Sequence, residues 1–317
     1  MNDTSQVSVQ HLSRFYGDLT AVNDVSFELT QGEVLGFLGP NGAGKSTTMQ
    51  IITGNLAPSI GEVRICGIDL LEQPKLAKSK IGYLPEQPPL YRDLSVDEYL
   101  RFCAHLKRLP RQQIASAMDR AKQRCGLERV GHRLINNLSK GYQQRVGIAQ
   151  AIIHSPSVIV LDEPTVGLDP IQIREIRGLI RELGQEHGVI LSTHILPEVQ
   201  MTCDRVQIIS NGRLVFSDKV ANLKQQMDST SLLLGLHQPP AREVLRAIEG
   251  VTEVEELGDG RLRILHAASA SPAIHLAELA AREGWGLYEL SPEHKSLEQI
   301  FVDITSSEEP ITAESTT

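Results

Sequence analysis

The chain has 317 residues, which favours two domains, and its −8 net charge lies mostly in residues 223–317, where 16 acidic side chains outnumber 7 basic ones. No stretch is basic enough for a nucleic-acid-binding surface, and no apolar run approaches the ~18 residues that a membrane span needs. Four scattered cysteines without metal-ligand spacing and a polar N-terminus without a signal pattern predict a soluble protein of the reducing cytoplasm.

Alternating apolar and polar residues predict strands at 7–12 and 21–29, and a hairpin-like segment at 61–67 adds a third. We expect these strands to form an antiparallel patch. Tyr16 lies on the turn between the first two strands. Its ring can pack against neighbouring side chains or stack on a planar base, and both interpretations stay open on the residues alone.

Residues 39–46 read G-P-N-G-A-G-K-S and match the phosphate-binding pattern G-x-x-x-x-G-K-[ST] at every fixed position. The apolar run 34–38 predicts the buried strand before this loop, and 47–52 predict the start of the following helix. Backbone N–H groups of such a loop bind phosphate, the lysine contacts the β- and γ-phosphates, and the serine hydroxyl holds Mg²⁺. The predicted nucleotide-binding residues here are Gly39, Pro40, Asn41, Gly42, Ala43, Gly44, Lys45, Ser46 and Thr47.

A short predicted strand at 80–84 ends at Pro85, and the prolines that follow make the segment around Gln87 a loop. From there the pattern becomes helical. Ser95 and Glu98 have capping-box spacing at the start of one helix, and a second helix over 114–125 ends at Gly126. We therefore expect a separate helical subdomain at about residues 92–155.

Two buried strands are predicted to end in polar side chains. The apolar run 158–161 leads into Asp162 and Glu163, at the strand end where α/β sheets place ligands. Asp162 fits the Mg²⁺-binding aspartate of phosphate-loop NTPases, and Glu163 can act as a base toward water. The run 189–193 ends at His194, which on the residues alone is either structural or functional.

The order of these motifs resembles the ATP-binding cassette (ABC) family of ATPases over residues 5–222. The resemblance implies an α/β fold: a P-loop NTPase domain with an antiparallel β subdomain and a helical subdomain. It implies that Tyr16 stacks on adenine, that Gln87 contacts Mg²⁺ or the attacking water, and that His194 is the switch histidine. Glu163 then corresponds to the catalytic base, with Ser46 and Asp162 as Mg²⁺ ligands and residues 167–169 as the D-loop.

One motif departs from the family pattern. Residues 138–142 read L-S-K-G-Y where the family signature is Leu-Ser-Gly-Gly-Gln, so that Lys140 replaces a glycine and Tyr142 replaces the glutamine. Ser139 and Gly141, which face the γ-phosphate of ATP held by a second cassette in the family, are retained. We therefore expect two copies of the chain to enclose ATP between them.

The C-terminal third has a different pattern. Predicted elements in the order strand, helix, strand, strand, helix, strand over 231–290 indicate a small α+β domain of the ferredoxin-like kind at 228–305. A closing amphipathic helix at 297–302 and a disordered tail at 306–317 follow. Such a domain mediates dimer contacts or regulation, or binds a ligand.

The resemblance implies the ATP-hydrolysing subunit of an ABC transporter, peripheral on the inner face of the membrane and bound to integral membrane permease subunits. Segments 84–91 and 296–301 resemble those of exporter ATPases of the multidrug, gliding-motility and copper-enzyme-maturation kind. A soluble ABC ATPase acting on ribosomes or DNA is the alternative, although such proteins carry fused cassettes or basic surfaces. A non-hydrolytic ATP-gated module is a third, which the retention of both Asp162 and Glu163 disfavours.

Overall fold

The computed structural model describes residues 5–225, 231–267, 270 and 272–292. The chain divides into two compact units, Met1–Val220 and Ala221–Thr317. The domain boundaries expected from the sequence, 5–222 and 228–305, stay predictions. The expected closing helix at 297–302 and tail at 306–317 lie outside the described residues.

The first unit holds ten strands, seven complete α-helices and two short 3₁₀ helices among its described residues. The strands are β1 (Ser5–Tyr16), β2 (Leu19–Thr30), β3 (Val34–Leu38), β4 (Ile60–Ile65), β5 (Ile68–Asp69), β6 (Ile81–Leu84), β7 (Val158–Asp162), β8 (Gly188–Thr193), β9 (Arg205–Ser210) and β10 (Arg213–Lys219). The helices are α1 (Lys45–Ile52), α2 (Pro74–Ser79), α3 (Val96–Leu106), α4 (Arg111–Cys125), α5 (Lys140–Ile152), α6 (Pro170–Gly184) and α7 (Leu196–Thr202), and α8 (Val220–Gln225) follows.

A four-stranded antiparallel sheet has the order β2-β1-β4-β5. The alternating residues that predict β2 bury one face, with Val25, Phe27 and Leu29 in the core. The predicted antiparallel patch is thus confirmed, and β5 extends it by a strand of two residues that is too short to leave an alternation in the sequence.

A six-stranded sheet with the order β10-β9-β3-β8-β7-β6 forms the second layer, parallel throughout except for β10. Every residue of β3, β7 and β8 is buried, as expected of parallel strands covered on both faces. These three neighbours run in the same direction, so their carboxyl ends meet at one edge. The phosphate-loop pattern, the Asp162–Glu163 pair and His194 all follow at that edge.

The helical segment behaves as its sequence predicts. Ser95 caps α3 in a complete capping box, since its hydroxyl accepts from Glu98 N at 3.3 Å and its own N–H donates to Glu98 Oε2 at 2.8 Å. Helix α4 begins directly after Pro110, earlier than expected, and ends at Gly126 in the left-handed conformation. Across the described residues, no helix is both long and apolar enough to cross a lipid bilayer.

The second unit contains a four-stranded antiparallel sheet with the order β12-β13-β11-β14. Its elements are β11 (Ser231–Leu236), α9 (Arg242–Arg246), β12 (Val251–Gly258), β13 (Arg261–His266), α10 (Ala273–Arg282) and β14 (Leu287–Pro292). Each strand–helix–strand pair is split by a strand of the other pair, which is the ferredoxin-like arrangement that the sequence predicts. Its core includes Leu234, Ile264, Leu276 and Trp285.

Candidate active site

A cleft of about 620 Å³ opens at the carboxyl edge of the parallel sheet. The loop after β3, the start of α1, the ends of β7 and β8 and the β1–β2 turn all contribute side chains. The lining residues are Tyr16, Leu19, Ala21, Asn41, Gly42, Gly44, Lys45, Ser46, Thr47, Glu86, Glu163, Val166 and His194. The structure therefore brings most of the predicted site residues together in one place.

The loop between β3 and α1 has the geometry of a phosphate cradle. Gly44 precedes α1 with φ 103°, and a Cβ there would lie 2.5 Å from the carbonyl oxygen of Ala21, so only glycine fits. No side chain caps α1 and no acidic residue lies in its first turn. The first N–H groups of the helix and its partial positive charge are thus directed at an anion.

Lys45 is buried at the base of the cleft, with 5 % of its surface exposed. Its Nζ donates to the carbonyl oxygens of Gly39 at 2.8 Å and Pro40 at 3.2 Å, and it lies 3.6 Å from Glu163 Oε1. Gly39 and Pro40 therefore act here through their carbonyls. Ala43, between them and the helix, is buried at 4 % exposure.

Glu163 and His194 are in direct contact. His194 Nδ1 lies 2.9 Å from Glu163 Oε1 and 3.0 Å from Oε2, with Glu163 buried and His194 partly exposed. Glu163 has φ 49°, a left-handed conformation that costs a residue other than glycine about 1–2 kcal/mol. Its N–H donates to Ser192 O at 2.9 Å, which holds this conformation against β8. Strain of this kind concentrates at functional sites.

Asp162 ends β7 as a buried carboxylate, and its Oδ1 accepts no hydrogen bond from any described residue. Burial raises the pKa of Asp162 above its usual value, and the charge of Glu86 adds to that shift. The hydroxyls of Ser192 and Ser46 oppose the shift without reaching Oδ1 in hydrogen-bonding geometry. A buried carboxylate oxygen without a donor beside a serine hydroxyl fits a divalent cation.

The proline-rich loop after β6 lies between two cavities. Glu86 lines the cleft together with Ser46 and Glu163, whereas Gln87 does not. Both Glu86 and Gln87 line a second cavity of about 500 Å³, beside Lys140 and Gln144. The family resemblance points to Gln87, whose role stays a prediction, and nothing in the residue types indicates that Glu86 turns toward the phosphate loop.

Ser139 and Gly141 lie outside the cleft of their own chain. Ser139 caps α5, accepting from Tyr142 N at 3.5 Å. Gly141 is buried against α6, where a Cβ would lie 2.5 Å from the Gln172 side chain. Neither residue lines the cleft of its own chain, and their contact with nucleotide stays a prediction.

Tyr16 stands at the rim of the cleft with 45 % of its surface exposed, so packing alone does not account for its position. The guanidinium carbon of Arg14 lies 4.7 Å from the centre of the ring. A cation on one face of the ring fixes its orientation and leaves the other face for a ligand.

A family model described as "ABC transporter" matches residues 22–166. The uncharacterized ABC transporter ATP-binding protein YhcH of Bacillus subtilis is 35 % identical over 292 residues, which cover 90 % of this chain and 91 % of YhcH. The bacitracin transport ATP-binding protein BcrA of Bacillus licheniformis is 30 % identical over 300 residues, which cover 94 % and 96 %.

This chain belongs to the family of ABC transporter ATP-binding proteins. It is an ATPase subunit that powers a transporter. The alignments with YhcH and BcrA extend over both units of the chain, so this ABC protein shares with them more than the nucleotide-binding unit.

Solved structures of ABC cassettes agree with this fold. An ATP-binding subunit of an ABC transporter has a TM-score of 0.64 and 32 % identity, covering 70 % of this chain and 93 % of its own. The dimeric bacterial ABC transporter cassette MJ0796 has a TM-score of 0.62 and 27 % identity, covering 68 % and 98 %. Nucleotide binding is therefore a property that this ABC protein shares with its structural relatives.

Proposed function

We propose that this subunit works as an ATP-driven homodimer that powers export through separate membrane subunits at the cytoplasmic face of the membrane. The contact of Lys45 and His194 with Glu163 at the base of the cleft carries the catalytic part of the proposal. The dimeric form of the MJ0796 cassette supports the homodimer. The exporter-like segment at 84–91 supports the direction of transport.

The backbone of residues 39–47 and the N-terminus of α1 bind the phosphates in this proposal, and Tyr16 stacks on the base. Ser46 and Asp162 are the residues that would hold Mg²⁺, which neutralises phosphate charge when bound. Two such side chains are enough, because Mg²⁺ binds few protein ligands and takes the others from phosphate oxygens and water.

Glu163 is the proposed base that orients and deprotonates the attacking water, and His194 holds its carboxylate from the solvent side. Lys45 neutralises Glu163 in the structure, at 3.6 Å. When a phosphate draws Lys45 onto the γ-oxygens, the carboxylate loses that ion pair and can accept a hydrogen bond from the attacking water. Substrate binding thus places the lysine on the phosphate and frees the glutamate for the water.

In this proposal Glu86 takes the place that the family resemblance gives to Gln87. It lies in the cleft with Ser46 and Glu163, and its charge contributes to the raised pKa of Asp162. We assign to Glu86 the contact between this loop and the Mg²⁺–water region. Gln87 then belongs to the neighbouring cavity, on the side of the loop that leads to the helical segment.

The membrane partner docks, in this proposal, beside the proline-rich loop. The Tyr91 ring lies 5.3 Å from that of Phe102 and 6.1 Å from that of Tyr99, and Tyr91 remains 55 % exposed. A cavity of about 330 Å³ on the same loop is lined by Pro85 and Pro89 together with Lys78 and Lys107. Exposed aromatic side chains are typical anchors for a partner segment.

The test compares Glu163→Gln with the exposed control Glu182→Gln on α6. Glu163→Gln should bind Mg-ATP normally and form a stable dimer, while its turnover falls by about 10²–10⁴-fold because the base is lost. Nucleotide titration, size exclusion in ATP and phosphate release are measured on the same samples. Wild-type turnover by Glu163→Gln would refute the assignment of the base.

A further inference from the structure

Glu198 is a buried carboxylate that does not line the nucleotide cleft. It lies on α7 with 1 % of its surface exposed. An ionised carboxylate is costly to bury unless donors and a cation satisfy it. Its partners therefore show what holds it there.

Both oxygens of Glu198 accept hydrogen bonds from threonine hydroxyls. Oε1 accepts from Thr165, and Oε2 accepts from Thr193 at 2.8 Å. Arg177 on α6 supplies the cation, with its Nη2 3.7 Å from Oε1. Glu198 and both threonines are buried, and the Arg177 side chain is 20 % exposed.

The two threonines belong to the two segments that carry the catalytic pair. Thr165 follows Glu163 by two residues, and Thr193 immediately precedes His194. The Thr193 hydroxyl also accepts from Ile195 N at 3.1 Å, so the backbone on both sides of His194 is held. One carboxylate thereby ties the end of β7 to the end of β8.

We propose that Glu198 is a positioning residue for ATP hydrolysis, which fixes the contact between Glu163 and His194 by binding the segments that carry them. The proposal rests on the assignment of Glu163 as the base. Glu198 touches neither nucleotide nor water. It acts on the rate because a displacement of about 1 Å at the reacting groups costs on the order of 10²-fold in turnover.

The alternative is that Glu198 and Arg177 only stabilise the fold as a buried ion pair. A stabilising pair would change the unfolding temperature and leave the catalytic geometry unaffected. The two threonines separate these roles, because each can lose its hydroxyl while Glu198 and Arg177 stay in place.

The experiment uses the full-length chain with Glu198→Gln, Thr165→Val and Thr193→Val, and with Thr165→Ser and Thr193→Ser as matched controls that keep the hydroxyl. Each valine variant and Glu198→Gln should lower kcat by about tenfold or more with KM for ATP nearly unchanged, and each serine variant should retain the wild-type rate. If Glu198→Gln fails to fold, the kcat values of the threonine variants test the positioning role.

Two further measurements separate this proposal from the assignment of the base. The imidazole ¹⁵N resonances of His194 should shift in Glu198→Gln and in the valine variants, whether or not Glu163 is the base. In the Glu163→Gln background, Glu198→Gln should lower the residual rate by less than about twofold, because both act on one step. Additive losses, or unchanged His194 resonances in a valine variant, would overturn the positioning role. Wild-type turnover by Glu163→Gln alone would instead contradict the base.

Discussion

Lys45 and Glu163 are opposite charges 3.6 Å apart at the base of the cleft. Both are buried, and Lys45 also donates to two carbonyls of the phosphate loop. A triphosphate offers the lysine stronger acceptors than these neutral carbonyls, because its oxygens carry full negative charge. ATP binding is therefore expected to separate the pair and to free the carboxylate before water attacks the γ-phosphate.

Removal of the Tyr16 ring should weaken ATP binding selectively. Tyr16→Ala is expected to lower ATP affinity by about tenfold, since stacking on an aromatic side chain contributes about 1–3 kcal/mol per base. Tyr16→Phe keeps the ring and should bind as the wild type does. Affinity for inorganic triphosphate, which has no base, should be the same in all three proteins. An equal loss of triphosphate affinity in Tyr16→Ala would show that the ring acts on the loop instead.

His154 should make the fold sensitive to acid. Burial lowers its pKa from 6.5 to about 4, and Lys107 adds to the shift. Its Nε2 lies 3.1 Å from the carbonyl oxygen of Ile81 and donates to it in the neutral ring. The folded protein keeps this ring neutral while the unfolded chain protonates it, so stability is lost as the pH falls from 6.5 toward 4.

Urea unfolding at pH 7 and pH 5 measures this effect. Between pH 7 and pH 5, His154 should lower the free energy of unfolding of the wild type by about 2 kcal/mol. The free energy of unfolding of His154→Gln should therefore fall by about 2 kcal/mol less than that of the wild type. His132→Gln, at an exposed histidine, serves as the control and should follow the wild type. The same pH sensitivity in His154→Gln as in the wild type would mean that another group carries the acid response.

Some residues of the site can be predicted from the sequence, and others cannot. The loop 39–47, Asp162, Glu163 and His194 were predicted, because each follows a buried strand whose apolar run is visible in the sequence. Glu86 was not, since the conformation of a loop between prolines decides which of two adjacent polar residues turns inward. Glu198 was missed because its partners lie 33 and 5 residues away and are ordinary threonines.

At the scale of elements, two helix ends with a capping residue were predictable, whereas the start of α4 was not. Ser95 caps the start of α3, because its hydroxyl accepts a hydrogen bond, and Gly126 caps the end of α4, because glycine tolerates φ 64°. The strand order was less accessible. Periodicity gives each strand and its buried face, but the pairing of β3 between β8 and β9 is set by residues far apart in the chain.

The aromatic cluster on α3 and the preceding loop should be needed for assembly with the membrane subunits. Leu90→Asp combined with Tyr91→Asp places two charges on this surface and should abolish co-purification from detergent extract, while the ATPase activity of the isolated subunit persists. Ile171→Asp, at an apolar side chain 73 % exposed on α6, is the control. Wild-type stoichiometry of the membrane subunits with the double variant would place the docking surface elsewhere.

At the scale of the whole molecule, the cleft lacks the signature residues of its own chain. Ser139 caps α5 away from the phosphate loop, and Gly141 is buried against α6. If two copies complete each other's sites, ATP should drive dimerisation. The sequence of one chain cannot show the contact between two copies, because that contact forms only between chains.

Ser139→Arg should prevent the ATP-bound dimer by placing a bulky cation where the second copy meets the nucleotide. In the Glu163→Gln background, which should trap the dimer, sedimentation in Mg-ATP is expected to show dimers for the parent and monomers after Ser139→Arg. Ser116→Arg, at an exposed serine on α4, is the control and should remain dimeric. Full hydrolytic activity of the wild-type protein as a monomer at high dilution would contradict the composite site.

The loop after β6 has a thermodynamic consequence. Glu86 and Gln87 are consecutive residues, yet one lines the nucleotide cleft and the other lines only the neighbouring cavity. A rotation of the peptide between them alters both cavities at once, so their ligands obey reciprocity: each changes the affinity of the other by the same factor. A membrane subunit that tightens ATP binding about tenfold through this loop is itself held about 1.4 kcal/mol more strongly once ATP is bound.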